Sequence, residues 1–280
     1  MVIFKNAGQI ARFLSETNNS KKIIGFVPTM GALHQGHMSL IQASKEDSDL
    51  TVCSIFINPA QFNNQEDFDR YPVTIEKDLE LLLSAGCDVL FFPTVDQIYP
   101  PGYQKKVYSL GNIENILEGQ FRPGHFQGVC EVVDRLLDVV KPNQLFVGQK
   151  DYQQCMIIQK LLELKGKENE IMLMVQPTMR EPDGLAMSSR NLRLSEEDKQ
   201  KAALLNKTLE FIKDNLGKEP LKTIRRKAKT ELEDAGFALD YIEIRDARTL
   251  DPIHSYSDKL VALVAASIGN VRLIDNMVLN

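Results

Sequence analysis

No stretch of the chain approaches the ~20 consecutive apolar residues that a membrane-spanning helix needs. No C-x-x-C pair occurs among the four cysteines, Cys53, Cys87, Cys130 and Cys155, which are scattered through apolar surroundings. That pattern disfavours a disulfide or metal framework and predicts buried free thiols in a reducing compartment. Positive charge is in deficit, with 33 Lys and Arg against 38 Asp and Glu and a formal net charge of −5. A nucleic-acid partner requires a surplus of basic residues over a broad face, so none is expected. The opening Met-Val-Ile-Phe-Lys-Asn lacks the charged and apolar regions of a secretion signal. Internal repeats and low-complexity tracts are missing as well. A cytoplasmic globular protein is expected. Its 280 residues, 43% hydrophobic, suffice for one large domain or two modest ones.

What the chain does have is alternation. Short β-branched runs predict strands at 22–27, 50–57, 88–92, 144–147 and 171–175. Between them, helices are predicted at 10–16, 37–46, 75–85, 129–140 and 152–165. Such alternation makes an α/β fold, a Rossmann-like parallel sheet with helices on both faces. Ligands of these sheets bind beyond the carboxyl ends of the strands, where strand order reverses. Past Pro177 the pattern changes. A charged helix starts at Ser195 with Asp198 as capping-box partner, another covers 221–235, and strands follow at 239–245, 259–266 and 271–275. The expected organisation is therefore a domain over 1–177 and a smaller C-terminal α+β domain over 178–280, with 179–194 as hinge.

His34 and His37 lie in Gly25-Phe-Val-Pro-Thr-Met-Gly-Ala-Leu-His34-Gln-Gly-His37, between a strand and a helix. Backbone N–H groups are unpaired at such a junction and favour an anion. Gly31 and Gly36 let the backbone turn tightly and approach a ligand. A nucleotide phosphate site follows from the residues alone. A zinc pair is disfavoured, because no further N or S ligand has compatible spacing.

Three later segments add to this motif: Phe56-Ile-Asn58-Pro-Ala-Gln61-Phe62, Phe146-Val-Gly148-Gln149-Lys150-Asp151-Tyr-Gln-Gln154, and Gly184-Leu-Ala-Met187-Ser188-Ser189-Arg190-Asn191. Together with Arg122-Pro-Gly-His125-Phe and Arg272-Leu-Ile-Asp-Asn276, in this order and spacing, the chain resembles the pantoate–β-alanine ligase family over nearly its whole length. The resemblance implies a two-step reaction. Pantoate and MgATP give pantoyl adenylate and pyrophosphate, and β-alanine then displaces AMP to give pantothenate. It also implies a homodimer with Mg²⁺ accompanying ATP.

In this reading His34, His37, Lys150, Ser188, Ser189 and Arg190 are catalytic. The ATP site adds Met30, Gly31, Ala32, Leu33, Gln35, Gly36, Gly148, Gln149, Asp151, Met179 and Met187. Adenylation builds charge on phosphate oxygens, so positioning and electrostatic stabilisation carry it. The histidines suit this if protonated, and ATP binding is expected to raise their pKa values. A phosphate charge ~4 Å away contributes about 4 kcal/mol at an effective dielectric of ~20, against ~0.3–1 kcal/mol from the helix dipole. Lys150 is the compact charge among the phosphates. Gln149 stands where many relatives carry Glu, which leaves Asp151 as the acidic neighbour of Lys150. Met187-Ser188-Ser189-Arg190 takes the place of a K-M-S-K-S-type moving loop.

For pantoate, Gln61 and Gln154 offer amides that donate and accept. Asn58 either contacts the pocket or orders its loop, and Met30 with Phe62 forms the apolar wall. Asp78, near Glu76, is the candidate outer ligand of Mg²⁺. His125 either serves the site or fixes a turn, and His254 is structural. Cys53 is packing rather than nucleophile. The rival readings are a nucleotidyltransferase acting on a phosphate ester, a tRNA-charging enzyme and a nucleotide-binding module. The first would not require the Gln61/Gln154 pocket or the long second domain. The acidic balance and the lack of an evident anticodon-binding domain count against the second. The third has little need for two histidines, a lysine, two serines and an arginine around one triphosphate.

Overall fold

The computed structural model describes residues 1–19, 21–253 and 259–280; His254 lies outside them. Six strands, β1 (Val2–Phe4), β2 (Ile24–Thr29), β3 (Leu50–Ile55), β4 (Val89–Phe91), β5 (Gln144–Gly148) and β6 (Met172–Gln176), form one sheet. Their order is β1-β4-β3-β2-β5-β6, and all neighbours are parallel. From β2 the chain builds outward through β3 and β4, then returns to add β5 and β6 on the opposite side. Strand order therefore reverses between β2 and β5, which places the crevice there.

Apolar side chains alternate between the two faces. Phe26, Val52, Phe91 and Leu145 pack against the helices Ala7–Asn19, His125–Val140 and Tyr152–Leu164. Val27, Cys53, Leu90 and Phe146 pack against the helices Gln35–Asp47 and Ile75–Ser84. Each such fully buried large side chain contributes roughly 1.5–3 kcal/mol. Gly25 is required where the first of these helices meets β2, since a Cβ there would lie 2.2 Å from the Ser44 Oγ.

β2 runs on to Thr29, two residues beyond its expected end and through a proline. Ile24 turns its carbonyl to the β5 side, accepting from Asn143, and Thr29 turns its carbonyl to the β3 side, accepting from Phe56. Pro28 shares the orientation of Ile24. Its missing N–H thus falls on the β5 side, where register has already ended at Phe26–Leu145. The proline breaks no ladder and sits where the sheet splits open. β1 had escaped the sequence pattern: it is three residues long at the sheet edge, with Val2 48% exposed.

The C-terminal domain holds an antiparallel sheet of β7 (Ala238–Asp246), β8 (Leu260–Ile268) and β9 (Val271–Val278), in that order. Helices Glu196–Ala202, Leu204–Asn215 and Leu221–Asp234 precede it. One face buries Ala262, Val264 and Leu273 with Leu209, Ile224 and Leu232 from those helices. The other presents Tyr241, Val261 and Leu263 to Leu117, Tyr152 and Met156 of the first domain. The helix Leu204–Asn215 had not been anticipated. Ser195 caps its helix as expected, accepting from the Asp198 N–H, but its hydroxyl also donates to the Asp198 carboxylate, which therefore does not reach the N-cap backbone.

All four cysteines are free and buried. Burial pushes the Cys53 thiol well up, Cys87 to about 11, and Cys130 and Cys155 to about 12. They behave as packing residues. Among the described residues, no helix is long and apolar enough to cross a membrane.

Candidate active site

The carboxyl end of β2 leads into a turn with Gly31 at φ 80° and Ala32 at φ 50°, in the left-handed region that only glycine adopts freely. Asp78 holds this turn. Its two oxygens accept from the Ala32 and Leu33 N–H groups at 2.9 and 2.8 Å, and the Thr74 hydroxyl donates to it at 2.9 Å. The carboxylate is wholly buried. The expectation that Asp78 is an outer magnesium ligand is thereby corrected: both oxygens are engaged in bracing the histidine loop, behind the cleft.

His34 is the N-cap of the helix Gln35–Asp47. Its Nδ1 accepts from the Gly36 N–H at 3.2 Å, and His37 Nδ1 accepts from the His34 N–H at 3.3 Å. A Cβ on residue 36 would come within 2.9 Å of the His34 ring, so glycine is needed for this fold-back. Because both Nδ1 atoms accept, the mobile proton of each ring sits on Nε2. Burial, with Lys150 opposing a second positive charge, lowers His34 to about 4. Burial, His34 and Lys150 lower His37 in the same direction. By the protein's own groups both rings are held as neutral Nε2–H donors, since protonation would cost each ring its backbone partner. The imidazolium expected from the sequence is tied to a phosphate charge beside the ring.

Lys150 follows β5, directly across the split from the histidines, and its ammonium is 4.0 Å from the Asp151 carboxylate. The third arm is the segment after β6. Ser188 Oγ caps the turn Ser189–Arg193, accepting from the Arg190 N–H, and buried Ser189 donates to the Ala32 carbonyl at 3.0 Å. The Arg190 guanidinium donates to Asp67 at 2.7 Å and lies over the Tyr71 ring at 5.7 Å. Arg193 donates to the same Asp67 at 2.7 Å. Upstream, Arg180 makes a two-bond pair with buried Asp275. The expected hinge is tied to both domains.

One cleft is lined by His34, His37, Lys150, Ser188, Ser189 and Arg190, together with Met30, Gly36, Gly148, Asp151, Met179 and Met187. Gln61, Phe62 and Gln154 line the same cleft. Gln61 Nε2 rests on Met30 Sδ at 2.9 Å, and Phe62 packs edge-on against Tyr71. Not every expected ligand residue is brought there. Gln35 is exposed, and Gly31, Ala32 and Leu33 are buried behind the cleft. Gln149 turns to Asn276 in the second domain. Asn58 is wholly buried, with Nδ2 donating to the Gly128 carbonyl and Oδ1 accepting from Ala60 N–H and the Tyr99 hydroxyl. Asn58 orders its loop, so its assignment as a substrate contact is corrected.

His125, with Arg122, lines the same cleft and also braces the Gln61 turn. An arginine can only donate, so His125 Nε2 accepts from Arg122 at 3.1 Å and Nδ1–H donates to the Gln61 carbonyl at 2.8 Å. Burial lowers His125 to about 3, and neighbouring Arg122 adds to the shift. The Gln61 turn is also pressed on Gly128, where a Cβ would lie 2.1 Å from the Ala60 carbonyl oxygen. Sequence reasoning missed Tyr71, Thr178 and the stripe Val129, Val132, Val133 and Leu136, which also line the cleft. That stripe has the spacing of a core-facing helix, so nothing in the sequence separates wall from core.

The chain matches proteins of one family along its whole length. The sequence profile described as Pantoate-beta-alanine ligase matches residues 2–278. A pantothenate synthetase of Fervidobacterium nodosum is 41% identical over 282 residues, covering 100% of both chains. That of Aquifex aeolicus is 42% identical, covering 98% of both. A crystal structure of pantothenate synthetase from Thermus thermophilus superposes with a TM-score of 0.94 at 36% identity, covering 100% of this chain and 99% of that one. The pantoate-β-alanine ligase of Francisella tularensis, solved with a β,γ-ATP compound and β-alanine, gives 0.82 at 39% identity, covering 99% and 97%.

Proposed function

The chain belongs to the pantoate–β-alanine ligase family, and we propose that the cleft between β2 and β5 is where it condenses pantoate with β-alanine at the expense of ATP. The observation that carries this reading is convergence. Two Nε2–H donors, an ammonium, a serine pair and a guanidinium border the same crevice as two glutamines.

Pantoate lies between Gln61 and Gln154, its branched carbon against Met30, Phe62 and the valine stripe. Its carboxylate oxygen attacks the α-phosphorus of ATP, the P–O bond to the β-phosphate breaks, and pyrophosphate leaves. Negative charge accumulates on the phosphate oxygens as this happens. His34 and His37 meet it with hydrogen bonds rather than charge, each bond to a charged group being worth about 1.5–3 kcal/mol. Lys150 supplies the fixed positive charge. Arg190 and Ser188 belong to a flap that follows the departing pyrophosphate. The β-alanine amine then attacks the acyl carbon, and AMP leaves with the former carboxylate oxygen.

Magnesium belongs to the co-substrate MgATP. The residues do not fit a resident metal: among those described, no cluster of three His, Cys, Asp or Glu could hold one, and Asp78 is engaged. The domain boundary falls at 177/178, with the second domain acting as lid. A cytoplasmic homodimer is part of the same proposal.

Exchange of labelled pyrophosphate into ATP tests the reading. Exchange that requires pantoate, followed by AMP release on adding β-alanine, is expected. Exchange that needs a phosphorylated acceptor would point to a nucleotidyltransferase, and none at all to a binding module.

A further inference from the structure

Strand β9 reaches the site from the second domain at two places four residues apart, and the two contacts lead to different substrate groups. At Asn276, Nδ2 donates to the carbonyls of Gln149 and Lys150 at 3.0 and 2.8 Å, while Oδ1 accepts from Gln149 Nε2 at 3.3 Å. Three hydrogen bonds from one buried amide pin the turn that carries Lys150. At Arg272, Nη1 and Nη2 donate to the two oxygens of Glu118 at 2.8 and 2.7 Å, and Nε donates to Asp240 at 2.7 Å. The Tyr241 hydroxyl donates to the same carboxylate at 2.8 Å. Glu118 in turn lies 3.6 Å from Arg122, which donates to His125, which donates to the Gln61 carbonyl. Three side chains thus connect Arg272 to the main chain of Gln61.

Buried ion pairs contribute little net stability compared with apolar packing, but they fix orientation. A domain interface already carrying Tyr241, Val261 and Leu263 has apolar surface for adhesion. The polar contacts add alignment.

We propose that β9 is a two-armed positioning element: Asn276 sets Lys150 for the ATP phosphates, and Arg272, through Glu118, Arg122 and His125, sets Gln61 for pantoate. Seating the second domain then assembles both binding arms together, and a site with the domain displaced holds neither substrate correctly. The inference rests on the assignment of Lys150 to ATP and Gln61 to pantoate made above.

Its test is a pair of separated Michaelis constants in the pyrophosphate-exchange reaction of the full chain. Asn276→Ala is expected to raise the KM for ATP on the order of tenfold while the KM for pantoate stays within about twofold. Arg272→Gln is expected to do the converse, with Arg272→Lys recovering part of the loss. Equal rises in both constants, or a fall in kcat alone, would overturn the proposal. Lys150→Ala and Gln61→Ala serve as references. If they do not separate the two constants, the underlying assignment fails and takes the proposal with it. Should an Arg272 variant not fold, Glu118→Gln reads the same arm with its shape kept.

Discussion

The backbone N–H of His34 donates to Nδ1 of His37, and Nδ1 of His34 accepts from Gly36 in turn, so each imidazole is locked with its proton on Nε2. Locking works only for neutral rings, and this gives a pH dependence. His34 titrates at about 4, below the ordinary 6.5, and His125 at about 3. The unfolded chain therefore takes up protons first as pH falls. Stability is full above pH ~7 and declines as pH drops from about 6.5 toward 4. At ~1.4 kcal/mol per unit of displacement, His34 alone accounts for about 3 kcal/mol. Urea unfolding at pH 7.5 and 4.5 should show a lower midpoint at the acid end. His125→Gln should flatten the difference.

Asp78 separates bracing from metal binding. Asp78→Ala leaves two buried N–H groups without partners, at about 1–3 kcal/mol each, and releases Ala32 from its strained conformation. Expected are a stability loss on the order of 2–5 kcal/mol and a large fall in exchange rate, with the magnesium concentration for half-maximal rate unchanged. A shifted magnesium requirement in a stably folded variant would restore the ligand reading.

Gly128→Ala tests the seat of the pantoate arm. The added methyl meets a backbone carbonyl, which cannot rotate away as a side chain can. The turn Pro59–Gln61 must shift, so the KM for pantoate should rise on the order of tenfold while that for ATP stays nearly constant. Unchanged pantoate kinetics would show that Gln61 does not need this placement.

Asp67 holds two arginines at once, and burial alone would raise its carboxyl, yet Arg190 and Arg193 keep it below the usual range. The pairs are partly exposed, so their loss should cost less than about 1 kcal/mol of stability. Asp67→Asn is nevertheless expected to lower kcat on the order of tenfold, because Arg190 loses its registration over Tyr71. Stopped-flow turnover beside a melting curve distinguishes the two effects.

The fold was readable where one periodicity dominated. Strand and helix alternation placed β2 to β6 and their helices within a few residues, because parallel strands buried on both faces leave continuous apolar runs. β1 was too short to register, and Pro28 gave no hint that β2 continues through it, since the harmlessness of that proline depends on β5 having already diverged. In the site, His34 and His37 stood out at a strand–helix junction. Lys150 and the Ser188–Arg190 segment were singled out only through the family resemblance, because a lysine or a serine-rich turn by itself reads as solvated surface. Asn58, Asp78 and Gln149 were not separable from ligand contacts. A polar side chain near a motif looks the same in sequence whether it faces a substrate or braces the loop behind it. Its partner, such as the Ala32 N–H or the Gly128 carbonyl, is settled only by the packed chain.

The most direct measurement is a single turnover without β-alanine: rapid-quench release of pyrophosphate on mixing the enzyme with ATP and pantoate. The wild-type chain should give a burst close to one pyrophosphate per site, matched by pantoyl adenylate. Folded Lys150→Ala and His37→Ala variants should release it at least about a hundredfold more slowly. A burst of wild-type rate and size in either variant would contradict the placement of adenylation between β2 and β5.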